Sequence, residues 1–311
     1  MTAVATRPDP AVQDPGGTAA AVDGTSRRWL GPWLLTVPAV AVLGFLVVAP
    51  FLVFTAYAFF VGGFYKVTPT FTLSNFSAAL GHELTRQLTL NAVQIGVVTG
   101  LLSVVIGLPL AYLIRYRSGR WEYAWLGLVV FSMFTSYLVR IYAWRVILGK
   151  GGILPQALDL VGLGPQSGSL LFSKPTVVVA LVHIFVPYVT LVAYAAFRNI
   201  PGDFMDLAAD LGAGRIQRWH RVVLPLVAPA AASGFLYTFV LAASDYVTPQ
   251  FLGGREGNMV GLLIAQQFSQ FGNYPLGAAT SILLLLLFMF AYGLTTLTLR
   301  VLGLNSVTIK G

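Results

Sequence analysis

Six stretches of this chain, at roughly 34–60, 88–114, 122–147, 175–197, 226–248 and 277–301, run almost without charge for the 20 or so residues that a helix needs to cross a hydrocarbon core. Backbone groups in lipid must satisfy one another, so such a run folds as a helix or closes into a barrel. No strand-like alternation in these runs competes with the helical reading. Only 10% of the 311 residues are charged, against roughly 25% in a soluble domain. Too little polar surface exists to cover a water-soluble ball. The expectation is an all-α membrane protein with six transmembrane helices over residues 30–311. Pro38, Pro50, Pro109 and Pro187 fall inside the runs, as membrane helices tolerate.

Orientation follows from Lys and Arg. With the N-terminus inside, twelve basic residues lie on the inner side: Arg7, Arg27, Arg28, Arg115, Arg117, Arg120, Arg198, Arg215, Arg218, Arg221, Arg300 and Lys310. Five lie in outer loops: Lys66, Arg86, Lys150, Lys174 and Arg255. Arg140 and Arg145 sit near the outer end of the third run. This bias puts both termini in the cytoplasm. The net charge of +8 is spread in short bursts between apolar runs, not gathered on one face, so it does not point to nucleic acid. Residues 1–29, rich in Ala, Pro, Asp, Gly and Thr, read as a disordered cytoplasmic tail. The apolar run after Arg27 and Arg28 is too long for a signal peptide.

One inner loop carries more than topology requires. In "DLAADLGAGRIQRWHRVVLP" (206–225), Asp206, with Asp203 before it, suits the positive end of a short helix. Gly212 and Gly214 end that helix. A second short helix follows from Ile216, and Pro225 opens the next span. A basic loop that only sets topology needs no such shape.

At these residues the chain resembles the inner-membrane permease subunit of bacterial ABC importers. That family's cytoplasmic signature is Glu-Ala-Ala, three residues, Gly, nine residues, then an aliphatic, one residue and Leu-Pro. Asp206, Leu207, Ala208, Gly212, Val222, Leu224 and Pro225 match it with every gap preserved, Asp206 standing for Glu and Leu207 for the first Ala. "TSYLVRIYAWRVILGKGGIL" (135–154), "SDYVTPQFLGG" (244–254) and "YPLGAATSILLLLL" (274–287) are similar to the spermidine/putrescine type. The resemblance implies a type I importer bundle in the bacterial inner membrane, with loop 198–225 as coupling helix. It implies as partners a second permease subunit forming a heterodimer, two cytoplasmic ATP-binding subunits and an extracytoplasmic substrate-binding protein. By the same resemblance the ATPase would be gripped through Asp206, Ala208, Asp210, Gly212, Ala213, Leu224 and Pro225. The substrate implied is a polyamine or similar organic cation, moved by alternating access; an opine, an aminophosphonate or an ion-coupled secondary carrier are the alternatives.

The residues themselves offer no catalytic centre. The sequence has no G-x-x-x-x-G-K-[ST] phosphate cradle, His82, His183 and His220 lack metal-ligand spacing, and there are no cysteines. No cofactor or metal is expected. For the translocation pathway the leading residue is Asp245, the one acid between Asp210 and Glu256, with Tyr246 beside it. An ionisable group at a span is costly and invites a functional role. It equally suits a cap on the turn into the outer loop, and both readings stand open. Tyr137, Arg140, Ile141 and Trp144 share one helical face, whose rings suit an ammonium as well as a membrane interface. Tyr188 lies deep in the fourth run. Gly96 and Gly100 form a G-x-x-x-G that lets helices approach, and residues 61–87 read as an outer amphipathic segment.

Overall fold

A computed structural model describes residues 31–164, 169–200 and 203–303; the expected tail over 1–29 lies outside the described residues. By its internal packing the chain divides after Leu52 into two units. The first contributes the opening turns of helix α1 (Gly31–Tyr57), which contains Pro38 and Pro50. From Val37 to Leu52 it presents Val, Leu and Phe side chains to its surroundings on every side, as a span in contact with lipid or another chain does.

The second unit holds everything else. A short hairpin, β1 (Phe60–Gly63) and β2 (Lys66–Phe71), pairs antiparallel with Gly63 opposite Lys66 and a bulge at Phe60. Helix α2 (Ser74–Gly81) is fastened to the hairpin base by the Asn75 amide, which donates to the carbonyls of Ala58 and Phe60. The expected outer amphipathic segment therefore has a definite fold, which its Thr-rich sequence did not announce.

Three long helices build the core: α3 (Glu83–Arg117), α7 (Lys174–Arg198) and α10 (Leu224–Ala243). They meet almost backbone to backbone. A Cβ at Gly96 would stand 2.9 Å from that of Ala243, one at Gly100 2.8 Å from the Phe235 ring, and one at Gly107 2.9 Å from Val189. Helix association in lipid has no hydrophobic drive between segments and depends on such close van der Waals contact. Around this seam Ile95, Leu181, Val177 and Phe239 are buried. Helix α12 (Tyr274–Val301) completes the long elements.

Two expected spans come out differently. The third is not one straight helix over 122–147: the stretch Gly119–Met133, which contains α4 (Glu122–Met133), meets the stretch Tyr137–Leu160, which opens with α5 (Tyr137–Leu148), at a bend of 89°. Ser136 takes an extended conformation that no helix continues through, and the break lets the Arg140 side chain fold back onto the Thr135 carbonyl. The fifth span is longer at its inner end and shorter at its outer end than 226–248. Helix α9 (Arg215–Arg218) passes through a π-helical turn (Trp219–Val223) straight into α10, so no second short helix stands apart from it. Pro225 explains the turn. Proline has no amide and its ring clashes with the carbonyl four residues back, and a π-turn widens the helix at that place. There the Leu224 amide reaches the Trp219 carbonyl, five residues back.

Five helices among the described residues are long and apolar enough to cross a membrane, and the bent pair makes a sixth if it is counted as one span. Helix α6 (Ile153–Leu160) follows α5, α8 (Asp203–Asp210) precedes the π-turn, and α11 (Val260–Ser269) precedes α12.

Candidate functional site

At the end of the molecule that carries the basic loops, α8 closes on a left-handed residue. Gly212 has φ +79° with open space where a Cβ would go. The Ala213 amide donates to the Ala208 carbonyl and the Leu211 amide to that of Leu207, the arrangement by which a glycine just past a helix closes its last turn. The apolar side chains here point outward: Leu207 is 55% exposed, Leu211 87% and Ile216 78%. Asp210 is exposed too, and Ala213 is half-buried. Asp206 lies on α8 with its side chain outside the described part of the structure.

Just beyond this exposed turn the same segment is anchored deeply. Val223 and Val227 are fully buried with Phe197, Ala193, Ala111 and Ile114. The Trp219 ring packs edge-on to Tyr112 at 4.9 Å and against Phe197 at 6.3 Å. Leu224 and Pro225 sit between the anchor and the span. Next to it, Glu122 joins three helices: it accepts from the Tyr194 hydroxyl at 2.7 Å and pairs with Arg115 at 3.5 Å. The exposed turn is thereby connected to the adjoining ends of α3, α7 and α10 together.

At the opposite end, Asp245 stands just past α10, half-buried. Its Oδ1 accepts from the Val247 amide at 3.1 Å, and its Oδ2 from the Thr248 amide at 3.1 Å and the Tyr137 hydroxyl at 2.8 Å. The backbone contacts make it the cap of the short helical stretch that begins at Val247 and runs into the π-helical turn Pro249–Gly253, as carboxylates cap helix starts generally. The phenol contact joins α5 to this turn, and the Tyr137 oxygen also lies 2.8 Å from Thr248 Oγ1. Gly261 holds the turn from the other side, for a Cβ there would meet the Ser244 carbonyl at 2.5 Å. Tyr246 is exposed beside a cavity of about 390 Å³ lined by Ser244, Ile264, Ser281 and Phe288.

The other aromatic candidates stand apart from Asp245. Trp144 donates its indole N–H to His183 Nδ1 at 3.1 Å, at the edge of an apolar cleft of about 600 Å³ between α3, α4 and α7. Tyr188 packs against Tyr237 with the ring planes tilted by 39° and their centres 5.7 Å apart, and Tyr237 is half-exposed on α10. Sequence reasoning did not select Thr248, His183 or Tyr237. Thr248 had a signal, because an acid three residues ahead of Thr-Pro is a helix-start pattern. The other two depend on which helix packs beside which. No group of His, Asp and Glu able to hold a metal occurs among the described residues.

The family described as "Binding-protein-dependent transport system inner membrane component" matches residues 103–302. The inner membrane ABC transporter permease protein YdcU of Escherichia coli is 31% identical over 235 residues, 71% of this chain and 74% of its own. The spermidine/putrescine transport system permease protein PotB of Haemophilus influenzae is 30% identical over 224 residues, 71% of this chain and 78% of its own. Among solved structures, a bacterial ABC transporter that imports alginate superposes with a TM-score of 0.69 over 85% of this chain and 94% of its own, at 17% identity. The MetNI methionine ABC transporter superposes with a TM-score of 0.54 over 71% of this chain and 98% of its own, also at 17% identity.

Proposed function

Since the chain belongs to the family of binding-protein-dependent transport system inner membrane components, we propose that it carries a polyamine or similar small organic cation inward, driven by ATPase subunits that grip the 203–225 segment. It is a multi-pass permease subunit of a bacterial inner-membrane ABC importer, of the spermidine/putrescine permease type. Its companions in this reading are a second, different permease, two cytoplasmic ATP-binding subunits and an extracytoplasmic binding protein.

The observation that carries the reading is the coupling turn. Exposed leucines beside a left-handed glycine are poorly placed for water and well placed for a cleft on another protein. Their backbone runs within a few residues into the buried Trp219–Val223 anchor, so closure of the ATPases is delivered to the bundle. Ala208, Gly212 and Ala213 shape the turn, and Asp210 lies on its exposed side. Leu224 and Pro225 carry the motion on into α10.

For the substrate, the Asp245 carboxylate supports a cation. A half-buried carboxylate attracts an ammonium without the full cost of desolvating both charges. Tyr137 and Tyr246 stand beside it, and Trp144, Tyr188 and Tyr237 add aromatic faces deeper in the bundle. The relatives named for spermidine and putrescine support the same class.

The test uses the complete complex in proteoliposomes. Binding protein loaded with spermidine should stimulate ATP hydrolysis and drive uptake, and Leu211→Glu should abolish both while the permease pair still assembles. Uptake that persists without the ATPase subunits would return the chain to the ion-coupled class.

A further inference from the structure

We propose that Arg140 is the positioning residue of the broken third span: its guanidinium holds α5 at its steep angle to α4, and that angle brings the Tyr137 hydroxyl to Asp245. The inference rests on the reading of Asp245 as a transport residue given above.

A break in a helix leaves backbone donors and acceptors without partners within the helix. At this break the Phe134 amide turns back to the Phe131 carbonyl, and the Ser136 carbonyl accepts from the Arg140 amide. No backbone amide among the described residues donates to the Thr135 carbonyl. Arg140 supplies that donor, its Nη2 lying 2.9 Å from the oxygen. The residue is only 8% exposed, and its Nε has no partner among the described residues. A buried guanidinium is costly, and a neutral amide would cap one carbonyl for less. What the guanidinium adds is a rigid planar fork with a fixed direction.

That direction matters because α5 docks through the same face. Tyr137, one turn before Arg140, reaches Asp245 Oδ2 across 108 residues of sequence. Trp144, one turn after it, reaches His183 across 39. Both bonds are near their optimal lengths, and such bonds fail within a few tenths of an ångström. Released from Thr135, α5 is free to roll or straighten, and the long lever from Arg140 to the Tyr137 hydroxyl loses its aim.

Two measurements on the assembled importer test this. The chain has no cysteines, so spin labels at Leu128→Cys on α4 and Val146→Cys on α5, both exposed, read the bend directly. A single narrow distance is expected with Arg140 present, and a broadened or shifted one in Arg140→Met, with Arg140→Lys closer to the native value. An unchanged distance in Arg140→Met overturns the proposal, and this readout does not depend on what the importer carries. In spermidine uptake, Arg140→Met and Tyr137→Phe should each lower the rate about tenfold, the scale of one lost hydrogen bond to a charged group. The double variant should be no worse than either, because both act through the same contact. Effects that multiply would overturn the proposal. Should Arg140→Met fail to reach the membrane, Arg140→Gln, which lacks the planar fork, carries the same comparison alone and in the Tyr137→Phe background.

Discussion

The Asp245 carboxylate caps a turn and is proposed here to meet the substrate, and the two roles can be separated chemically. Its contacts with the Val247 and Thr248 amides are those of a cap, and asparagine caps about as well as aspartate. Asp245→Asn therefore removes the charge and keeps one of the two cap contacts through its remaining carbonyl oxygen, whereas Asp245→Ala removes the charge and both contacts. Spermidine uptake should fall about tenfold in the Asn variant, the scale of one charged hydrogen bond, with basal ATP hydrolysis unchanged. Normal uptake in Asn together with loss in Ala would assign the residue to the turn alone. Asp245 was legible in the sequence as a lone acid at the edge of an apolar run. Its partnership with Tyr137 was not, because it spans 108 residues and exists only once the third span has bent. Phe134, Thr135 and Ser136 include neither Gly nor Pro, so the usual punctuation of a break is missing.

Among the elements, the coupling segment shows which sequence signals survive folding. Gly212 ends α8 in the left-handed conformation that its position suggested, because the requirement is local. The helix after it is not separate, because the π-turn makes Pro225 an interruption within one continuous helix and not a start. Gly212→Arg places a side chain where left-handed backbone costs about 1–2 kcal/mol, on the very surface a partner would grip. Uptake should be lost while membrane insertion stays normal, checked by transport assay beside quantitative blotting of the membrane fraction. Trp219→Ala acts differently. It empties the space between Tyr112 and Phe197, so ATP hydrolysis should persist while the uptake per ATP falls several-fold, a loss of transmission at a core cavity. Equal losses of both activities would mean that the ring serves docking instead.

Across the whole molecule, charge distribution and packing make separate claims. The basic residues assign sides, and single cysteines in this cysteine-free chain test the assignment. In intact cells a membrane-impermeant maleimide should label Lys150→Cys and leave Gly214→Cys untouched; the reverse pattern would invert the topology. Packing assigns mobility. Where α3 meets α7 and α10, Gly96, Gly100 and Gly107 leave no room for even one added carbon. Such a seam has no slack to give up. Whatever stroke the importer makes, this trio must travel as a single block, like a door leaf rather than a fan, and the changes of shape must be borne at its margins. Substrate would then move past a surface that turns, not through a gap that opens within it.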